Sequence, residues 1–217
     1  MHIAVIGASG LIGSHLVQHL LTEPSVEKVK ILVRKKLAIS HSKLDQVLVD
    51  FEDLTTLTST LQGVDAVCVA VGTTQAKVKG DMSAYRKVDY DIPVNAARAA
   101  AIQACGSYLL VSSVGADANA SNFYLKLKGE VEDEIKIMDL TATFIFRPSM
   151  LLGTRAEFRL GERIGQGLMR VFNWLILSKY KAINASDVAK AMVHCCLETN
   201  PPKWNILEYS QIMAKLK

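Results

Sequence analysis

Met1-His2-Ile3-Ala4-Val5-Ile6-Gly7-Ala8-Ser9-Gly10-Leu11-Ile12-Gly13 opens the chain and decides its fold. The apolar run His2 to Ile6, rich in β-branched residues, predicts a buried strand that breaks at Gly7. Beyond the glycines, Ile12, Leu16 and Leu20 recur at every fourth position, the spacing of one helix face. The segment reads as strand, tight glycine turn, helix. A helix starting over such a turn aims its free N–H groups and positive dipole end at whatever lies above it, and a pyrophosphate fits there. Gly7 permits the turn, Gly10 lets phosphate approach the backbone, and Gly13 lets the helix pack against the strand. The Gly-x-x-Gly-x-x-Gly spacing differs from the Gly-x-Gly-x-x-Gly of ordinary dehydrogenases. Its position still predicts a dinucleotide site built from Gly7, Ala8, Ser9, Gly10, Leu11, Ile12 and Gly13.

Outward from that corner, Val29 to Val33 predicts a second strand, ending in Arg34-Lys35-Lys36. NAD-selective folds carry an acid here for the ribose 2′-hydroxyl. Three cations stand in its place, and Arg34, with Lys35, can grip a 2′-phosphate through paired hydrogen bonds. NADP is therefore expected and NAD is the second choice; the plain alternative is a solvated loop. Gln46 to Val49 is a third strand closed by Asp50-Phe51. Asp50 could meet an adenine amino group or cap the helix Leu54 to Leu61, although Asp53 suits the cap better. Asp65 to Val71 is a fourth strand, running into Val71-Gly72-Thr73-Thr74, where a glycine leaves backbone open to a ligand. Gln75 to Asp81, with Lys77 and Lys79, reads as a mobile polar loop. A helical region follows from Met82 to Cys105, bent or restarted at Pro93. Ser107 to Val111 is a fifth strand, leading into Ser112-Ser113. A helix runs from about Asn122 to Met138, and Thr143 to Phe146 is a sixth strand, ending at Arg147-Pro148. A helical stretch near Leu160 to Leu177, a helix near Ser186-Asp187 and a last strand at Trp204 to Leu207 complete the chain. Strands alternating with helices predict an α/β, doubly wound parallel sheet with right-handed crossovers. One domain, 1–217, is expected, with 149–217 supplying a small C-terminal helical substrate section.

Tyr124 and Lys128 stand four apart in a helical context, so both lie on one face. An ammonium beside a phenol favours the phenolate and makes tyrosine usable in proton transfer. Ser112 and Ser113 sit at a strand's carboxyl end, where ligands gather in this architecture, and a hydroxyl there can hydrogen-bond a substrate carbonyl. Nicotinamide would supply the hydride and Tyr124 the proton. Alone, such a pair is often a surface accident; its place after a Ser-Ser strand end, downstream of the glycine turn, gives it weight.

The Gly7-x-x-Gly10-x-x-Gly13 turn, Ser113, Tyr124-x-x-x-Lys128 and Arg147-Pro148 together resemble the short-chain dehydrogenase/reductase superfamily, in its extended or atypical branch. More narrowly, Val71-Gly72-Thr73-Thr74, Val88-Asp89, Ser112-Ser113-Val114-Gly115-Ala116-Asp117 and Asn122-Phe123-Tyr124-Leu125-x-x-Lys128-Gly129-Glu130-Val131-Glu132 resemble the Tat-interacting-protein-type oxidoreductases. These are NADPH-binding and are often labelled nucleoside-diphosphate-sugar-epimerase-like. The resemblance covers about the first three quarters of the chain. It implies a Rossmann fold binding NADP, with Ser113, Tyr124 and Lys128 as the catalytic trio and Lys128 also holding the nicotinamide ribose. Pro148 and the backbone after it would border the nicotinamide, next to Arg147. The superfamily's asparagine, from the helix before the fifth strand, has no firm match; Asn95 lies in that region but reads better as a helix-surface residue. The implied activity is oxidation or reduction of a carbonyl or alcohol, or an epimerase-like reaction. The alternative is an NADP(H)-binding regulatory or redox-sensor protein without turnover, which the C-terminal section, short for a sugar-epimerase substrate domain, keeps open.

Of 217 residues half are hydrophobic, and the net charge of +4 is spread along the chain. No basic helix or aromatic-interleaved patch marks a nucleic-acid partner. No apolar run approaches the ~18 residues a bilayer span needs; Leu168 to Leu177 comes nearest, interrupted by Arg170 and Asn173. The first apolar run ends too early for a signal peptide. Cys68, Cys105, Cys195 and Cys196 lack Cys-x-x-Cys spacing and read as free thiols, so a cytoplasmic chain is expected. No metal is expected: His15 and His19 have no glutamate between them and no third ligand, and His194-Cys195-Cys196 reads as core. Phe172, Trp174 and Leu175 read as core ahead of a pocket wall or dimer contact. A homodimer or a protein partner is left open beside the small-molecule substrate.

Overall fold

The computed structural model describes residues 1–153 and 180–217. The helix expected over Leu160 to Leu177, with Phe172, Trp174 and Leu175, lies outside the described residues. Seven strands form one parallel sheet in the order β3-β2-β1-β4-β5-β6-β9. They are β1 (His2–Ile6), β2 (Lys28–Val33), β3 (Leu44–Leu48), β4 (Ala66–Val69), β5 (Ser107–Val111), β6 (Thr143–Phe146) and β9 (Trp204–Leu207). A parallel sheet covered on both faces needs apolar side chains on both, and β1 obeys. Ile3 and Val5 join the core cluster against α1 (Leu11–Thr22) and α6 (Ala185–Cys196), through Leu16, Leu20, Val188 and Met192. Ala4 and Ile6, on the other face, join the cluster of α2 (Leu54–Thr60), α4 (Ile92–Ile102) and α5 (Phe123–Lys136).

The chain winds outward from β1 to β3, then returns to β4 on the other side of β1. The crevice at that reversal, over the strands' carboxyl ends, is where ligands bind in such sheets. The opening corner is as read. Gly7 takes φ +95°, and a Cβ on it would lie 2.5 Å from the Ala70 carbonyl oxygen. A Cβ on Gly13 would lie 2.1 Å from the Gly7 carbonyl oxygen, so that glycine does bring α1 against the turn.

The tail carries the expected last strand and, besides it, a strand pair that the sequence reading did not include. A two-residue pair, β7 (Leu151–Leu152) and β8 (Ile183–Asn184), leads into α6. Strand β9 then extends the main sheet beside β6, and α7 (Tyr209–Ala214) packs Ile212 into the core of α1 and α6. Gln75 to Asp81, read as a loose loop, is a hydrogen-bonded turn in which Val78 N–H meets the Thr74 carbonyl and Gly80 N–H the Gln75 carbonyl.

The long helix is continuous from α3 (Met82–Arg86) into α4, through a π turn at Lys87–Asp91. Pro93 is the cause. It has no N–H to offer the Asp89 carbonyl four residues back, and its ring crowds that oxygen. The ladder widens by one residue, and Ile92 N–H bonds the Lys87 carbonyl instead. The buried Tyr108 hydroxyl donates to the Pro93 carbonyl at 2.7 Å and ties the widened turn to β5.

Candidate functional site

Two adjoining hollows lie over the ends of β1, β4 and β5. The first, about 320 Å³, is walled by Gly7, Ala8, Arg34, Lys35 and Phe51. The second, about 550 Å³, is walled by Leu11, Ile12, Ser112, Ser113, Tyr124, Lys128 and Pro148. Both share Ser9, Gly10, Val71, Gly72, Thr73 and Lys77. The result is one cleft, with cations at one end and the phenol and ammonium at the other. At the junction α1 begins after Gly10, which brings no side-chain cap, so its first-turn N–H groups and positive dipole end are left to an anion.

Three of the expected cofactor residues are not on these walls. Gly13 lies behind the turn, against Gly7. Asp50 turns its carboxylate back to the Glu52 N–H at 2.9 Å, while Asp53 caps α2 through the N–H groups of Thr55 and Thr56. Arg147 directs its guanidinium to Glu132, with Nε 3.1 Å from both carboxylate oxygens and Nη2 2.5 Å from one. That hydrogen bond raises Arg147 above its ordinary range and keeps it charged.

The two serines separate by partner. Ser112 is buried and its hydroxyl donates to Glu132. Among the described residues, the Ser113 hydroxyl makes one long bond, 3.3 Å, to the Val114 carbonyl, and is easily redirected to a ligand. Tyr124 is 38% exposed at the mouth. The Lys128 ammonium sits 5.9 Å from the Tyr124 ring centroid, one turn away on α5 as the spacing requires.

The residue that sequence reading quoted within the Val88-Asp89 motif but gave no role is Asp89. Its Oδ1 lies 3.0 Å from Lys128 Nζ, with both side chains buried, and its Oδ2 accepts the Thr73 N–H at 2.7 Å. Asn95 is elsewhere, donating to the Phe51 carbonyl at 3.0 Å. The available signal was Pro93: a proline four residues past an acid within a helix widens the turn that carries the acid. Glu132, one turn beyond Lys128, was quoted only as part of a motif.

The remaining groups are structural. Burial pushes the Cys105 thiol up to about 11, and contact with Cys68 plus burial pushes Cys196 well above the usual thiol range. Such thiols are poor nucleophiles. His19 Nε2 pairs with the Ser186 hydroxyl at 3.1 Å and joins α1 to α6 rather than facing solvent alone.

Gly129, next to Lys128, sets how close α5 lies to the loop before it. A Cβ there would stand 2.1 Å from the Ala118 nitrogen and 2.2 Å from the Asp117 carbonyl carbon. Both neighbours are backbone and cannot swing aside. Gly129→Ala is expected to lose ~3 kcal/mol or more of stability, read by urea unfolding. Unchanged stability would show that the loop yields freely.

The NAD(P)H-binding family matches residues 7–199. The chain is 30% identical to the mitochondrial protein FMP52 of Eremothecium gossypii, over all of this chain and 98% of that protein. It is 31% identical to HTATIP2 of Rattus norvegicus, over 96% of this chain and 86% of that one. Among solved structures, MoeE5 in complex with UDP-glucuronic acid and NAD superposes with TM-score 0.73 at 16% identity, covering 96% of this chain and 76% of that one. The Bordetella bronchiseptica enzyme WbmH in complex with NAD+ gives 0.72 at 17%, covering 95% and 75%. These likenesses carry the fold. The FMP52 relatives, in Aspergillus niger and Candida albicans as well, are named mitochondrial, which overturns the expectation of a cytoplasmic chain. That expectation rested on free thiols together with the lack of a secretory apolar run, and mitochondrial targeting uses amphipathic, Arg-rich segments rather than such a run.

Proposed function

The chain belongs to the NAD(P)H-binding family, and from that premise we propose that it is an NADP-dependent oxidoreductase acting on a small carbonyl or alcohol, with Tyr124 passing the proton. The observation that carries the reading is the single cleft, cationic at Arg34 and Lys35 and ending at Ser113, Tyr124 and Lys128. The residues fit the cofactor: an uncapped helix start for the pyrophosphate, a glycine turn that a Cβ would obstruct, and paired cations for a 2′-phosphate. When bound, the nicotinamide supplies or accepts the hydride. Ser113 would hydrogen-bond the substrate oxygen. Tyr124 would give that oxygen its proton during reduction, or take it during oxidation. Lys128 would stabilise the phenolate side of that exchange and hold the ribose hydroxyls. Pro148 lines the same end of the cleft.

Cofactor choice is tested at Arg34. Removing a guanidinium that binds phosphate costs about 1.5–3 kcal/mol, so Arg34→Ala should weaken NADPH roughly 10- to 100-fold. NADH, with no 2′-phosphate, should change less than about threefold by fluorescence titration. Equal loss for both would remove the phosphate assignment.

A further inference from the structure

Lys128 does not stand alone against the phenol. The Asp89 carboxylate is 3.0 Å away, and the pair is almost wholly buried, at 4% and 1% side-chain exposure. The same carboxylate accepts the Thr73 N–H, from the strand-end stretch that lines both hollows. Two donors thus converge on one side chain from two elements. A carboxylate meets them with two acceptor oxygens; an asparagine has one oxygen and would turn its NH₂ on the other donor. The backbone also aims this group. The π turn forced by Pro93 carries Asp89 inward, and such turns recur where a helix must re-aim a functional side chain.

We propose that Asp89 is the positioning residue of Lys128, holding the ammonium against the floor of the cleft, tying it to the Thr73 backbone and offsetting its charge. This rests on the reading of Tyr124 and Lys128 as the proton-transfer pair. The pair acts in a defined electrostatic setting. Lys77 faces the same hollow from the turn after β4, and Ser112 and Ser113 are uncharged. Glu132, on α5 itself, is neutralised by Arg147 at the end of β6. Among the described residues, Asp89 is the carboxylate paired with Lys128, and it offsets the positive charge that Tyr124 meets there. The carboxylate offsets part of the ammonium's charge at the phenol, which favours Tyr124 as the acid that protonates a reduced carbonyl.

The test is the ultraviolet absorbance of tyrosinate against pH, with the Tyr124 signal taken as the difference between each chain and its Tyr124→Phe counterpart. Asp89→Asn should move that midpoint about one pH unit lower, and Asp89→Glu should leave it nearly in place. Lys128→Met should move it higher. An unmoved midpoint in Lys128→Met sinks the proton-pair reading itself. A midpoint that responds to Lys128→Met but not to Asp89→Asn sinks the role of Asp89 alone. Should Asp89→Asn fail to fold, the unaltered chain carries the test through ¹⁵N-lysine spectra. An ammonium locked by a buried carboxylate exchanges its protons slowly, so one Nζ resonance should stay visible near neutral pH and vanish in Lys128→Arg. Its absence overturns the proposal.

Discussion

Tyr124→Phe should cut turnover of any carbonyl the unaltered chain reduces by roughly a hundredfold or more, the usual range for losing a positioned acid. NADPH affinity should change less than about twofold, because the substitution removes one oxygen and leaves the ring. Tyr124 is 38% exposed and its ring stays over Lys128 Nζ, so the wall of the cleft keeps its shape. The measurement is NADPH absorbance across a panel of small carbonyls, beside a fluorescence titration of the cofactor. Retained turnover would mean the proton comes from solvent or another group. If the unaltered chain binds NADPH and turns over nothing in the panel, the cleft is a sensor's.

Ser113→Ala and Lys128→Met should behave differently from that variant. Among the described residues the Ser113 hydroxyl bonds only Val114, at 3.3 Å, so its loss should fall on the chemical step. Lys128→Met leaves Asp89, 1% exposed, with a buried charge and only the Thr73 N–H to meet it. That variant should lose cofactor affinity and stability together.

The sheet was legible because its signal is local. Buried parallel strands such as Ile3 to Ile6 must be apolar on both faces, and the glycines between β1 and α1 are dictated by backbone contacts that no other residue tolerates. The cleft's two ends were legible because Arg34 and Tyr124-x-x-x-Lys128 sit at spacings from strand ends that the fold translates directly into place. What stayed hidden depends on partners distant in sequence. Asp89 meets Lys128 across 39 positions and Thr73 across 16. Arg147, at a strand end where a cofactor contact was expected, is drawn instead to a carboxylate on α5. Asp50 is taken by its own turn. In each case the side chain is held by a partner in the fold, and composition does not reveal which partner lies nearby. The short β7–β8 pair and α7 were missed because a two-residue strand or a six-residue helix carries no usable periodicity.

Arg147→Leu is expected to be strongly destabilising. Glu132 is 4% exposed and would be left, among the described residues, with the Ser112 hydroxyl as its remaining side-chain partner. Leaving a buried carboxylate unpaired costs about 3–5 kcal/mol, or roughly 10 °C in Tm for a chain of this size. Glu132→Leu should cost less, because the Arg147 side chain is 21% exposed and its guanidinium can reach water. Changing both to leucine should cost less than the sum, since the charge is removed with its partner. The pH dependence has a definite sign. In the Arg147→Leu chain the stranded carboxyl is driven toward its neutral form when folded, so the folded state binds more protons than the unfolded one and stability falls as pH rises. Urea unfolding at pH 5.5 and pH 8 should therefore show the larger deficit at pH 8; an equal deficit would mean Glu132 finds another donor. The same pair joins the end of β6, where Pro148 lines the cleft, to the turn of α5 that follows Lys128. If the cleft holds NADPH as proposed, the loss of Arg147 should weaken it even under conditions where the fold survives.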